Sequence, residues 1–145
     1  MAESVTRERL GAWLLKARPG PGWLPQTVEQ GRPVFRERCV TAGYRSGLMH
    51  PGDVVLLWLS GPAGADPSPG IWGVGEVTSS ARLDEAGQLA VGVRLPVAEH
   101  VLVSREELRA HPLLHRLEVL RMPAGANPSW LDAEQWQAMG GLLRR

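Results

Sequence analysis

Residues 54–59, Val-Val-Leu-Leu-Trp-Leu, constrain the fold of this chain more than any other segment. The run is launched by the turn residues Pro51-Gly-Asp53 and followed by Ser60. It is short and apolar at every position, so it predicts a buried strand that is apolar on both faces. The 145 residues suffice for one domain with a real core, since a chain of this size buries roughly 68–70% of its unfolded surface. Hydrophobic residues make up 43% and charged residues 21%, which excludes wholesale disorder.

The other elements follow from punctuation by glycine and proline. The run Ala12-Trp-Leu-Leu-Lys-Ala17, bounded by Gly11 and Pro19, predicts a strand, with residues 1–10 as a flexible lead-in to a single domain over 11–145. Residues 18–25 predict a loop, and Thr27 with Gln30 predicts one helical turn. Arg38 to Thr41 has strand composition within an ambiguous segment, 34–44. After the loop 61–70, strands are expected at Ile71–Thr78 and Leu89–Leu95, joined by a turn at 84–87. Gly73 and Gly75 lie inside their strand, where glycine marks a bulge or a close approach. Ser104 with Glu107 caps a short helix that Pro112 stops, and Leu117–Met122 reads as a strand. Asp132 with Gln135 caps a last helix expected to end at Gly140-Gly141. Five to six strands with short helices at the connections predict an α+β fold, a small mixed barrel, and not a Rossmann sheet.

Chemistry is thinly represented. The single cysteine, Cys39, excludes an internal disulfide and a multi-thiolate zinc site, fits a reducing cytoplasm, and is expected to be a half-buried structural thiol. Only His111 and His115 stand four apart among the histidines, and Pro112 breaks the helix that would align them. No metal, cofactor or catalytic residue is therefore assigned. No apolar run approaches a membrane span, and no membrane partner is expected. The net charge of +1 is far from that of a protein gripping duplex phosphates. Residues 1–50 nevertheless carry net +4 and residues 51–110 net −4. Arginine supplies 15 of the 16 cations, with Lys16 the only lysine. This bias suits a GC-rich genome, or else Arg18, Arg36, Arg38 and Arg45 form an anion-facing patch. Six tryptophans stand against one Tyr and one Phe. Trp58 and Trp136 are expected in the core. Trp23, in a Pro/Gly loop without a core face of its own, is a candidate stacking residue for a flat ring.

Several segments stand in order along residues 11–143: Trp13-Leu-Leu-Lys16 before Pro19, Arg45-x-x-Leu-Met-x-x-Gly-Asp53, the strand ending at Ser60, and Gly70-Ile-Trp-Gly-Val-Gly-Glu-Val77. They continue with Leu95-Pro-Val97, Val103 to Leu108 and Trp130-Leu-Asp-Ala-Glu-Gln-Trp136. Together and in this order they resemble the EVE domain. The resemblance implies a PUA-like, partly closed β-barrel related to YTH and ASCH domains. It implies a non-catalytic reader of a modified base in DNA or RNA, with a separate nuclease or restriction component as a candidate partner. The implied base pocket draws on Trp13, Lys16, Arg18, Trp23, Thr41, Tyr44, Arg45, Trp58, Ser60 and Trp72. The chain departs from the family where Ala17-Arg18 replace Ser-Glu, at Arg38-Cys39, and where Trp58-Leu59 precede the serine. These departures leave open an incomplete pocket or a different ligand. Two alternatives stand beside the reader: a small-molecule or nucleotide-metabolite binder, and an ASCH-like hydrolase built near Lys16 and Glu76.

Overall fold

The structure, a computed structural model, describes residues 4–125 and 127–145. Eight strands form one sheet: β1 (Leu10–Ala17), β2 (Val28–Glu29), β3 (Arg32–Cys39), β4 (Val54–Leu59), β5 (Gly70–Leu83), β6 (Leu89–Pro96), β7 (Val103–Ser104) and β8 (Ser129–Asp132). Four short helices join them: α1 (Tyr44–Leu48), α2 (Arg105–Ala110), α3 (Glu118–Arg121) and α4 (Ala133–Leu143), with a 3-10 turn at Leu114–Arg116. The strand order is β2-β3-β6-β5-β4-β1-β8, and β7 pairs separately with β5. Among the described strands, only β1 and β4 run parallel, with Lys16 opposite Trp58.

The double-sided apolar character of β4 sets the layering. Val55, Leu57 and Leu59 point into one core, where Trp13, Leu15 and Ala17 of β1 meet Phe35 of β3 and Val91, Val93 and Leu95 of β6. Leu56 and Trp58 point the other way, into a second core of Leu14, Leu108, Leu114, Leu117 and Met139 under the helices. Side chains therefore alternate between two cores with the two-residue period of a strand. The sheet also curls. Laid flat, β3 and β1 would stand roughly 19 Å apart across four strand spacings of about 4.8 Å. Instead Arg38 donates directly to the Lys16 carbonyl at 3.0 Å. No backbone ladder joins β3 to β1, so the sheet is curled but open.

Several expectations need correction. Over its described part, residues 4–10, the lead-in is packed: Val5 is buried in the first core, and Arg7 grips Asp53 through contacts of 2.6 and 2.8 Å. Residues 1–3 lie outside the described residues. Thr27 starts no helical turn. Gln30 (φ 52°) and Gly31 (φ 78°) form the two-residue connection of the β2–β3 hairpin, whose backbone hand matches strand twist. Leu117–Met122 is not a strand but contains α3, and the final helix runs through Gly140-Gly141 to Leu143. Cys39, the last residue of β3, is exposed and not half-buried. The capping boxes at Ser104/Glu107 and Asp132/Gln135 are formed as expected. Gly73 and Gly75 mark a close approach, since a Cβ at either would run into the Pro96 or Arg94 carbonyl of β6.

Candidate functional site

The ten residues of the expected base pocket are not gathered in one place. Trp13 is fully buried and donates its indole N–H to Asp53 at 2.9 Å, so it belongs to the core and not to a ligand site. Trp72 packs half-buried against the first core and donates to the Ser68 carbonyl at 2.7 Å. The other eight divide among three neighbouring concavities.

Thr41, Tyr44 and Arg45 line the first, a cavity of about 330 Å³ completed by Glu118, Met122 and Asn127 among others. Arg45 and Glu118 are both buried and form a bidentate pair at 2.7 and 2.8 Å. Ser129 adds a hydrogen bond to the same carboxylate at 2.8 Å. Burial pushes the Glu118 carboxyl up, but the hydrogen bonds of Arg45 and Ser129, with the charges of Arg45 and Lys16, outweigh it and leave its pKa lowered. The same pairing raises the pKa of Arg45, against its own desolvation. Tyr44 stands at the cavity with 56% of its surface exposed. It is not loose, because its hydroxyl accepts the Val5 N–H at 3.1 Å. That hydrogen bond and the Arg45 guanidinium lower the Tyr44 pKa. The packed lead-in thus fixes an aromatic face beside a cavity whose buried charges are already neutralised. Asn127 closes one side: its side chain accepts from the Lys16 N–H at 3.1 Å, and its carbonyl accepts from the Thr41 N–H at 2.7 Å.

Trp23 and Ser60 line the second concavity, about 350 Å³, together with Pro19 and Asp66. The expectation that the Trp23 loop has no core contact is corrected. A turn from Gly20 to Trp23 (3.1 Å) lays the indole half-buried against the first core. Lys16 does not line this cavity.

Lys16, Arg18, Trp58 and Ser60 line the third, a groove of about 550 Å³ that also takes Arg105 and Arg109 from α2. Trp58 is only 4% exposed, so it forms part of the groove wall while serving the second core. Lys16 donates to the carbonyls of Pro123 and Gly125 at 3.3 and 2.8 Å, and burial lowers its pKa.

The anion-facing patch of Arg18, Arg36, Arg38 and Arg45, the alternative to a compositional bias, is not formed. Arg36 pairs with Glu29 at 2.9 Å, Arg45 with Glu118, and Arg38 lies over the Phe35 ring at 4.8 Å while bridging to β1. Of the four, only Arg18 joins a cationic groove, beside Lys16 of β1 and Arg105 and Arg109 of α2. Nor do Lys16 and Glu76 converge as a hydrolase would need. Lys16 pairs with Trp58 and Glu76 with Val54, four residues and about 13 Å apart along β4. His111 uses Nδ1 to accept the Leu113 and Leu114 N–H groups at 3.1 Å, capping the 3-10 turn. Among the described residues no three His, Cys, Asp or Glu side chains gather as a metal site.

Sequence reasoning missed Glu118, Asn127, Arg105 and Arg109. Glu118 had a signal: an acid inside Leu117-Glu-Val-Leu120 requires a buried partner wherever that segment packs. Asn127-Pro128 is a turn dipeptide, though nothing in it indicates contact with β1 and β3. The remaining two depend on the placement of α2.

No family model and no curated protein matches the chain by sequence. Solved structures do resemble it. A Pseudomonas syringae protein superposes with TM-score 0.67 at 19% identity, covering 91% of this chain and 99% of its own. A hypothetical protein from Leishmania major gives 0.66 at 17%, covering 96% and 98%. A Rhodopseudomonas palustris protein gives 0.61 at 21%, covering 94% and 97%. At such identities these likenesses establish a shared whole-chain fold and nothing about activity.

Proposed function

We propose that this chain is a non-catalytic, PUA-like reader of a modified nucleobase in DNA or RNA, as the EVE resemblance implies. The base occupies the Tyr44 cavity. One observation carries the reading: an exposed aromatic, Tyr44, anchored through its hydroxyl beside a cavity of about 330 Å³. That volume lies at the small end of ligand sites and suits a single ring system. A base extruded from its strand would stack on Tyr44, with the Thr41 hydroxyl at the lining to meet its polar edge. Stacking of this kind contributes about 1–3 kcal/mol per base. The curled sheet, bridged from β3 to β1 through Arg38, supports the barrel-like part of the reading.

The test is a calorimetric panel of short oligonucleotides carrying methylated cytosine, hydroxymethylated cytosine or methylated adenine, beside unmodified controls. One modified base should bind at least about tenfold more tightly than its control, a difference of about 1.4 kcal/mol. Equal affinities across the panel would reject the reading. Tight binding of free nucleotides with no preference for oligonucleotides would favour a metabolite binder instead.

A further inference from the structure

Lys16, Arg18, Arg105 and Arg109 face one groove of about 550 Å³, and no carboxylate lines it. This is unusual in a chain whose formal net charge is only +1. Arg105 and Arg109 are four apart on α2 and so share a helix face. Arg105 is held in place by donating to the Gly61 carbonyl at 2.7 Å, and its Nε is enclosed without a hydrogen-bond partner among the described residues. Arg18 and Arg109 form no ion pair with any described residue, whereas Arg7, Arg36, Arg45 and Arg94 are each held by a carboxylate. Leu120, with the buried Trp58 and Val119 behind it, gives the groove an apolar part of its lining beside the cations. A lone inorganic anion would leave that surface unused, whereas a sugar–phosphate chain presents alternating anionic and apolar parts.

The groove also has neighbours. Pro123 and Ala124, which line it, stand beside Met122, Gly125 and Asn127, which line the Tyr44 cavity. The segment Ser60-Gly61-Pro62 is shared with the Trp23 cavity. We propose that this groove is the track for the sugar–phosphate backbone of a single polynucleotide strand, delivering a base into the Tyr44 cavity. The inference rests on the reader function proposed above and adds where the strand lies.

The probe is an unmodified, mixed-sequence single-stranded DNA oligonucleotide, titrated against the full chain by fluorescence anisotropy over a salt series. Every phosphate of a single strand that a cation no longer neutralises lowers the salt slope by about 0.7, so the double variant Arg18→Gln/Arg109→Gln should lower it by roughly 1.4. Arg82→Gln/Arg94→Gln, on β5 and β6, should leave the slope unchanged. An unchanged slope in the first double variant, or an equal drop in both, overturns the groove. Competition by inorganic phosphate as strong as that by the oligonucleotide overturns it too, in favour of a free-anion site. Thermal melts of both double variants keep folding separate from binding. If the wild type binds no oligonucleotide, the reader function falls and takes the groove with it. If the Arg18/Arg109 variant keeps its slope while Tyr44→Ala loses modified-base preference, only the groove falls. The reverse pattern leaves the groove standing and removes the Tyr44 cavity.

Discussion

Arg45 and Glu118 are the oppositely charged side chains that this fold buries against one another, and each is tolerable only because of its partner. Glu118→Gln removes the counter-charge of a buried guanidinium and should cost about 3–5 kcal/mol in denaturant melts. Their pairing also sets an acid limit. The Glu118 pKa is lowered in the fold, so its contribution is complete above about pH 4.5 and is lost as pH falls through the folded value below that. Asp53 adds to the same limb, because Arg7, the His50 N–H and Trp13 together overcome its desolvation and lower its pKa. Wild-type stability should therefore decline as pH drops below 4.5, and Glu118→Gln should flatten part of that decline. A variant with the wild-type acid profile would remove Glu118 from this role. Tyr44 behaves oppositely to a core aromatic. At 56% exposure, Tyr44→Ala should change stability little while removing about 1–3 kcal/mol of base affinity. Trp58→Ala, in the second core, should instead cost roughly 3–5 kcal/mol of stability.

Among the elements, those with local signals were legible and those set by long-range contact were not. The double-sided run of β4, the Asp84–Gly87 turn and the capping boxes of α2 and α4 depend on neighbouring residues and formed where expected. The helix α3 did not, because its apolar run is short enough to serve either a strand or one helical turn, and packing beneath the sheet decided it. The β2–β3 hairpin was missed because Gln30, a residue that rarely adopts positive φ, stands where Asn or Gly would announce the turn. The site was only partly legible for the same reason. Thr41, Tyr44 and Arg45 are close in sequence, whereas Glu118 and Asn127 reach them through a fold the local pattern does not reveal. The seam between β5 and β6 provides the sharpest element-scale test. Gly75 lies against the Arg94 backbone, so Gly75→Val should destabilise by about 1–3 kcal/mol through strand displacement. A melt unchanged from wild type would mean that β5 and β6 are less close than this geometry requires.

Across the whole molecule, one curled sheet does two jobs. Its inner core fixes the lead-in, which anchors Tyr44, and its outer core seats α2, which supplies Arg105 and Arg109 to the groove. The Tyr44 cavity and the cationic groove lie side by side: α3 lines the first with Glu118 and the second with Val119 and Leu120, and Lys16 of the groove hydrogen-bonds Asn127 and Gly125 of the cavity. No described helix is long and apolar enough to cross a membrane. The most direct test of the account is an amide NMR titration of the wild-type chain with the tightest-binding modified oligonucleotide, compared with its unmodified control. Perturbations specific to the modified base should centre on Thr41, Tyr44, Arg45 and Asn127, with shifts common to both oligonucleotides around Arg18, Arg105 and Arg109. Modification-specific shifts confined to Trp23, Ser60 and Asp66, or no difference between the two oligonucleotides, would contradict it.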